Sequence, residues 1–236
     1  MEELKSLADL LDLQAVDLEI DRLLDERQSL PELDQYRATD ASLKQLKQQR
    51  AAATDRVKEL ALAIDKTSGE LQLTEAKHNA EQNRLYAGGL SARDADYLRQ
   101  EVEMLGRRMG EMEEQTLELM ERKETEDAEL ERLSGEVASA ETEKVRLEGI
   151  ITTTWKEIDA ELARKEERKG VIAPLIEEDL RDLYDDLRNH KDGVGVARLG
   201  EGVCGACHLT LSNAEQLDAK REDPPRCVHC RRILVL

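Results

Sequence analysis

Apolar side chains recur three and four residues apart along most of this chain, a spacing that builds long paired helices and not a globular core. One stretch runs Leu43, Leu46, Ala53, Val57, Leu60, Ile64 and Leu71, and a second runs Leu98, Val102, Leu105, Met109, Met112, Leu119, Leu130, Leu133, Val137, Leu147, Ile151 and Ile158. A heptad spacing held for many turns keeps one stripe of each helix facing a partner helix, which makes a coiled coil with a left-handed supercoil. Polar residues interrupt the stripe at Arg50, Thr67, Thr74, His78 and Glu81 in the first arm and at Thr116, Lys123, Glu126, Lys144 and Thr154 in the second. Such positions set register or loosen the middle of the arms toward an outside partner. Composition agrees with this reading. Of 236 residues, 37% are charged and 2% aromatic, with no phenylalanine and a single tryptophan, Trp155, which suits helices whose apolar surface is a narrow stripe.

Between the two seams lies Tyr86-Ala-Gly-Gly-Leu90, where paired glycines accept backbone angles that other residues resist. Ser91 followed by Asp94 has the spacing of a helix start, so the second arm is expected to begin near Ala92. So short a break favours an antiparallel hairpin within one chain, with arms on the order of 100 Å at about 1.5 Å per residue. Pro31 should kink or restart the first arm, since it lacks a backbone donor and crowds the preceding turn. An N-terminal segment before it carries its own stripe, Leu13, Val16, Ile20, Leu23 and Leu30. On the returning arm, Gly170 and Pro174 are expected to end the long helix, with Pro174 in the first turn of a shorter one that His190 and Asp192-Gly193 close.

Two Cys-x-x-Cys pairs follow, Cys204-Gly-Ala-Cys207 and Cys227-Val-His-Cys230. Each places two thiolates on one tight turn, and the linker between them is long enough for the pairs to converge. Four soft ligands around one zinc ion, at about 2.3 Å each, leave no open position for water or substrate, so the centre is structural. A redox motif would be a single pair opening a helix of a thioredoxin-like unit. Disulfides would need an oxidising compartment, and no secretory leader is visible in the sequence. His208 and His229 adjoin the knuckles and are read as bystanders. Short β segments are expected around the knuckles, at Val194–Arg198, His208–Leu211 and Arg232–Leu236, with a capped helix from Ser212.

Charge divides the chain. From Val196 to the end there are six basic residues against five acidic ones, a balance of +1, so the helical chain before it carries −19 toward the total of −18. Helices that acidic repel phosphate. A nucleic-acid site can lie only on the ribbon, where Lys220, Arg221, Arg226, Arg231 and Arg232 flank the second knuckle; the alternative is that they are surface charges answering the acidic arms. The ribbon has no aromatic residue for base stacking. The longest uncharged run, 202–214, is too short to cross a bilayer, and a cytoplasmic protein without a membrane or small-molecule substrate is expected. No phosphate-binding loop or nucleophile elbow suggests an enzyme.

The expected fold is mainly α: an antiparallel coiled-coil hairpin over residues 1–173, a connecting helix over 174–193, and a small β zinc ribbon over 194–236. The whole chain resembles bacterial coiled-coil proteins with a C-terminal four-cysteine zinc ribbon, a group long classed as a domain of unknown function. Arg84-Leu85-Tyr86, Leu183-Tyr184, Val196-Ala197, the four cysteines and Arg232-Ile233-Leu234 carry the resemblance. The glycine usual after the last cysteine is Arg231 here. The resemblance implies a non-enzymatic zinc protein. Its relatives include a chaperone-like partner of the enhancer-dependent sigma factor that also binds flagellin messenger RNA, and others described as nucleic-acid-binding. Two functions follow as expectations: an adaptor whose ribbon meets nucleic acid while the coiled coil holds a protein, or a scaffold that binds proteins alone.

Overall fold

The computed structural model describes residues 2–236, with side chains from Leu7 onward. Three long helices dominate: α1 (Glu2–Gln28), α2 (Pro31–Tyr86) and α3 (Ala92–Ile172). A short helix α4 (Glu178–His190) leads into β1 (Val196–Gly200), β2 (Val203–Cys204), helix α5 (Asn213–Arg221) and β3 (Ile233–Val235). The fold is thus a long helical hairpin with a small three-stranded sheet, as the heptads and knuckles require.

The chain divides into two compact units. One comprises residues 35–146, and the other joins residues 1–34 to residues 147–236. The division follows packing and not chain order, whereas the sequence places its boundaries at 173 and 193.

In the unit of residues 35–146, α2 and α3 run antiparallel from the turn. Ser91 starts α3 as expected: its hydroxyl accepts from the Asp94 N–H at 3.2 Å and donates to the Asp94 carboxylate at 2.7 Å. Gly88 and Gly89 both take positive φ, 78° and 80°, which L-residues resist. Each residue buried along α2, Leu43, Ala53, Leu60 and Thr67, belongs to the expected seam, and so do Leu98, Leu105, Met112, Leu133 and Val137 of α3. Thr67 is tolerated there because its hydroxyl donates to the Ala63 carbonyl at 2.9 Å.

The other unit is organised around α1. Pro31 does not kink a continuous helix; it opens a new one, at the position where its missing N–H costs nothing. The carbonyls left over at the end of α1 find donors. The Ser29 N–H and hydroxyl both reach the Asp25 carbonyl, at 2.9 and 2.7 Å, and the Trp155 indole donates to the Arg27 carbonyl at 3.1 Å. The Arg27 guanidinium lies 4.8 Å over the same indole ring. At the other end of α3, Gly170 is passed without a break, and Pro174 sits in a single 3-10 turn, Ala173–Leu175. The expectation that Pro174 begins the short helix is therefore corrected, since α4 starts at Glu178.

The sheet has the order β2-β1-β3, with β1 antiparallel to β2 and parallel to β3. Period-two alternation gives it two faces. Val196 and Ile233 face a helical core of Leu10, Leu13, Ile176, Tyr184 and Leu187. Their neighbours Ala197 and Leu234 face a second core with Cys204, Leu211, Ala219 and Cys227. Thr210 makes only an isolated bridge to Val203, so the expected strand at His208–Leu211 does not form.

Candidate metal centre

The four cysteines converge. One sulfur each from Cys204, Cys207, Cys227 and Cys230 lies within 4.8 Å of the other three, with Cys204 to Cys230 and Cys207 to Cys227 both at 3.9 Å. A regular tetrahedron of sulfurs about 2.3 Å from its centre has edges of about 3.8 Å, so this cage has the size of a zinc site. Four thiols with no oxygen donor are also the right chemistry for zinc. One structural ion fits the residues present.

Backbone geometry presents the sulfurs. The His208 N–H donates to the Cys204 carbonyl at 2.9 Å, and the Arg231 N–H to the Cys227 carbonyl at 2.8 Å, closing the two knuckles alike. In both, the residue after the second cysteine takes a left-handed backbone: His208 at φ 57° and Arg231 at φ 62°. The second knuckle keeps its shape although an arginine stands where a glycine is usual. Bonds across the base fix the knuckles to the sheet, Gly205 N–H to the Arg198 carbonyl at 3.0 Å and Cys227 N–H to the Arg232 carbonyl at 2.9 Å.

The thiols are not equivalent in the absence of metal. Burial pushes Cys204 up to about 12 and raises Cys227 as well. Burial acts against Cys230 too, but hydrogen bonds from the Arg232 backbone and then from Cys227 outweigh it and bring this thiol down to about 7. Positive charge at the centre would ionise all four, because metal ligation replaces the proton.

The five basic residues near the second knuckle are not gathered into a free cluster. Arg232 is half-buried and donates to the Val194 and Lys191 carbonyls at 2.8 and 2.9 Å, tying β3 to the segment after α4. Arg231 forms a two-bonded pair with Glu222 at 2.7 and 2.8 Å. Arg221 meets Asp218 at 3.3 Å. Lys220 is exposed and Arg226 half-buried. His229 faces Glu215 at 3.7 Å, and His190 donates from its ring to the Asp186 carbonyl at 2.8 Å at the end of α4; neither joins the cage.

What holds the ribbon to α1 is a polar set that the heptad reading missed. Gln14 accepts from the Gly195 and Val196 N–H groups at 2.8 and 2.9 Å and donates to the Val196 carbonyl at 2.9 Å, so one amide side chain takes the place of a neighbouring strand. One turn on, Asp17 is fully buried between the Tyr184 hydroxyl at 2.9 Å, Lys169 at 2.8 Å and Arg188 at 3.3 Å. Arg188 also grips Asp21, at 2.6 and 2.7 Å. Gln14, Asp17 and Asp21 are spaced three and four apart, a second stripe beside the apolar one and the signal that could have found them.

Residues 13–192 match the CT398-like coiled coil hairpin domain, and residues 203–234 match the C4-type zinc ribbon domain. An uncharacterized protein of Mycobacterium tuberculosis strain H37Rv is 26% identical, over 96% of this chain and 93% of its own length. Among solved structures, the chain resembles CT398 from Chlamydia trachomatis with a TM-score of 0.75 and 20% identity, over 98% of this chain and 97% of that one. A Mycobacterium smegmatis protein gives a TM-score of 0.66 and 26% identity, over 99% and 98%. No helix among the described residues is long and apolar enough to cross a membrane.

Proposed function

The chain belongs to the CT398-like coiled coil hairpin family, and from that premise we propose that it is a non-enzymatic, cytoplasmic adaptor whose acidic hairpin holds a protein partner. The zinc ribbon serves as a folded cap fixed to α1, and a centre filled by four thiolates has no position to offer a substrate.

The observation that carries this reading is the use the ribbon makes of its own cations. Arg232 is spent on two carbonyls, Arg231 on Glu222 and Arg221 on Asp218. Phosphate contact would have to break these bonds or rely on Arg198, Lys220 and Arg226. Nucleic-acid binding by a handful of free cations is weak and steeply salt-dependent.

Titration of the full-length, zinc-loaded protein into labelled single-stranded RNA and duplex DNA, between about 50 and 200 mM salt, tests this. The expected result is no saturable binding at the upper salt. Tight binding that is lost when Arg198, Lys220 and Arg226 are changed to alanine would overturn the protein-only reading and install the ribbon as a nucleic-acid site.

A further inference from the structure

Between Met112 and Leu133, α3 buries no residue, although the heptad spacing continues. The seam positions Thr116, Leu119, Lys123, Glu126 and Leu130 are only half-buried there. Charged groups occupy the inside: Lys123 pairs with Asp127 at 2.7 Å, and Glu126 with Arg56 at 2.8 Å. Apolar groups stand outside. Leu117 is 62% exposed and Met120 52%. With Ala61 and Ile64 of α2 they line a groove of about 460 Å³ that also takes in Asp65, Glu121, Glu124 and the Lys123–Asp127 pair, whose charges answer each other.

We propose that this groove is the docking site for a basic amphipathic helix of a protein partner. The proposal rests on the adaptor reading and gives it a site and a partner class. A third helix laid along the flank of a two-helix coil buries its own apolar stripe against Ala61, Ile64, Leu117 and Met120, in the helix-in-groove manner, with anchors three and four residues apart. It would cover apolar surface that the hairpin's own seam leaves in water.

Charge selects the occupant. From Glu111 to Glu131 the chain has ten acidic residues against two basic ones, Arg122 and Lys123. A second copy of this chain would bring the same carboxylates to the groove and be repelled, and so would a nucleic acid. Lysines or arginines beside the apolar anchors of the incoming helix would face Asp65, Glu121 and Glu124, carboxylates that have no ion pair among the described residues. Apolar anchoring and charge then select the same kind of segment.

The test uses the full-length zinc-loaded protein labelled with carbon-13 at its methionine methyl groups. The probe is an amphipathic peptide of lysine and leucine, about 18 residues or five helical turns long, with a glutamate and leucine peptide of the same pattern as control. The lysine peptide is expected to bind, to shift the Met120 methyl resonance, and to leave that of exposed Met104, nearer the turn, in place. The glutamate peptide is expected not to bind. By fluorescence anisotropy, Leu117→Ser with Met120→Ser, and separately Glu121→Lys with Glu124→Lys, should each weaken binding about tenfold or more, with helicity unchanged by circular dichroism. Failure of the lysine peptide to bind, an equal shift of Met104, or wild-type affinity in both variants would overturn the groove. Binding mapped elsewhere on the hairpin would overturn the groove and leave the adaptor reading standing. Salt-resistant nucleic-acid binding by the ribbon would overturn that reading whatever the peptide does.

Discussion

The Tyr184 hydroxyl donates to the buried Asp17 carboxylate at 2.9 Å, joining two residues 167 positions apart. Lys169 and Arg188 complete the surroundings, so one carboxylate draws together α1, α3 and α4. Removing Asp17 takes the acceptor from the buried Tyr184 hydroxyl and one carboxylate from Arg188, which keeps Asp21, and from Lys169, which is partly exposed, so the cost sits at the low end for a broken buried pair, about 3 kcal/mol. Asp17→Ala should therefore lower the stability of this unit by about that much in chemical denaturation. Tyr184→Phe, which keeps the ring and the two cations, should cost about 1–3 kcal/mol. Equal losses from both variants would mean that the cations contribute nothing.

Burial, and then the negative charge of Asp17, raise the Tyr184 phenol far above its ordinary value near 10. The folded state holds this proton after the unfolded chain has released it, so the associated stability is complete below pH 10 and declines as pH rises above it. Unfolding curves between neutral and strongly alkaline pH should show this decline. Tyr184→Phe should remove that part of it, and a pH profile unchanged by the substitution would contradict the coupling.

Gln14 replaces a strand with a side chain, and three hydrogen bonds to Gly195 and Val196 depend on it. Gln14→Leu keeps the size and removes the bonds, leaving buried backbone groups unsatisfied at about 1–3 kcal/mol each. Amide exchange at Gly195 and Val196 should accelerate by orders of magnitude, with little change in the unit of residues 35–146. Uniform acceleration along both units would show instead that the chain unfolds as one body.

Heptad spacing alone located the buried residues of α2, because a two-helix seam has one periodicity and few ways to satisfy it. The knuckles were equally legible, since thiols in pairs have few other uses in a chain of this composition. Gln14 and Asp17 were not, because their burial depends on Gly195, Tyr184 and Arg188, which are remote in sequence. Gly195 shows the same dependence: a Cβ there would come within 2.7 Å of the Tyr184 ring, a constraint that only the packed structure displays. Arg231 and Arg232 read as surface cations for the same reason, their partners Glu222, Val194 and Lys191 being brought near by the folded ribbon.

Metal removal should act on one face of the sheet. Ala197, Cys204, Leu211, Ala219, Cys227 and Leu234 make too small a core to persist alone, and zinc in comparable sites contributes about 10–16 kcal/mol. Chelation should collapse the amide dispersion of both knuckles and α5 while helical circular dichroism falls only slightly. Val196 and Ile233, packed on the helical core, should lose protection last. Retained dispersion at Cys204 and Cys227 in demonstrably metal-free protein would refute a zinc-dependent ribbon.

Arg231 holds a left-handed backbone at φ 62°, a conformation that costs an L-residue about 1–2 kcal/mol relative to glycine. Its pairing with Glu222 is exposed, and such pairs return about 0–1 kcal/mol. Arg231→Gly should consequently leave stability within about 1 kcal/mol of wild type, the relieved backbone offsetting the lost pair and the freer unfolded chain. Arg231→Val should do the opposite, since a β-branched residue resists positive φ and supplies no pair. Competition with a chromophoric chelator should rank zinc affinity as Arg231→Gly close to wild type and Arg231→Val below both. A valine variant that binds zinc like wild type would mean that the knuckle can close without the left-handed turn, and the shared geometry of His208 and Arg231 would lose its meaning for the metal.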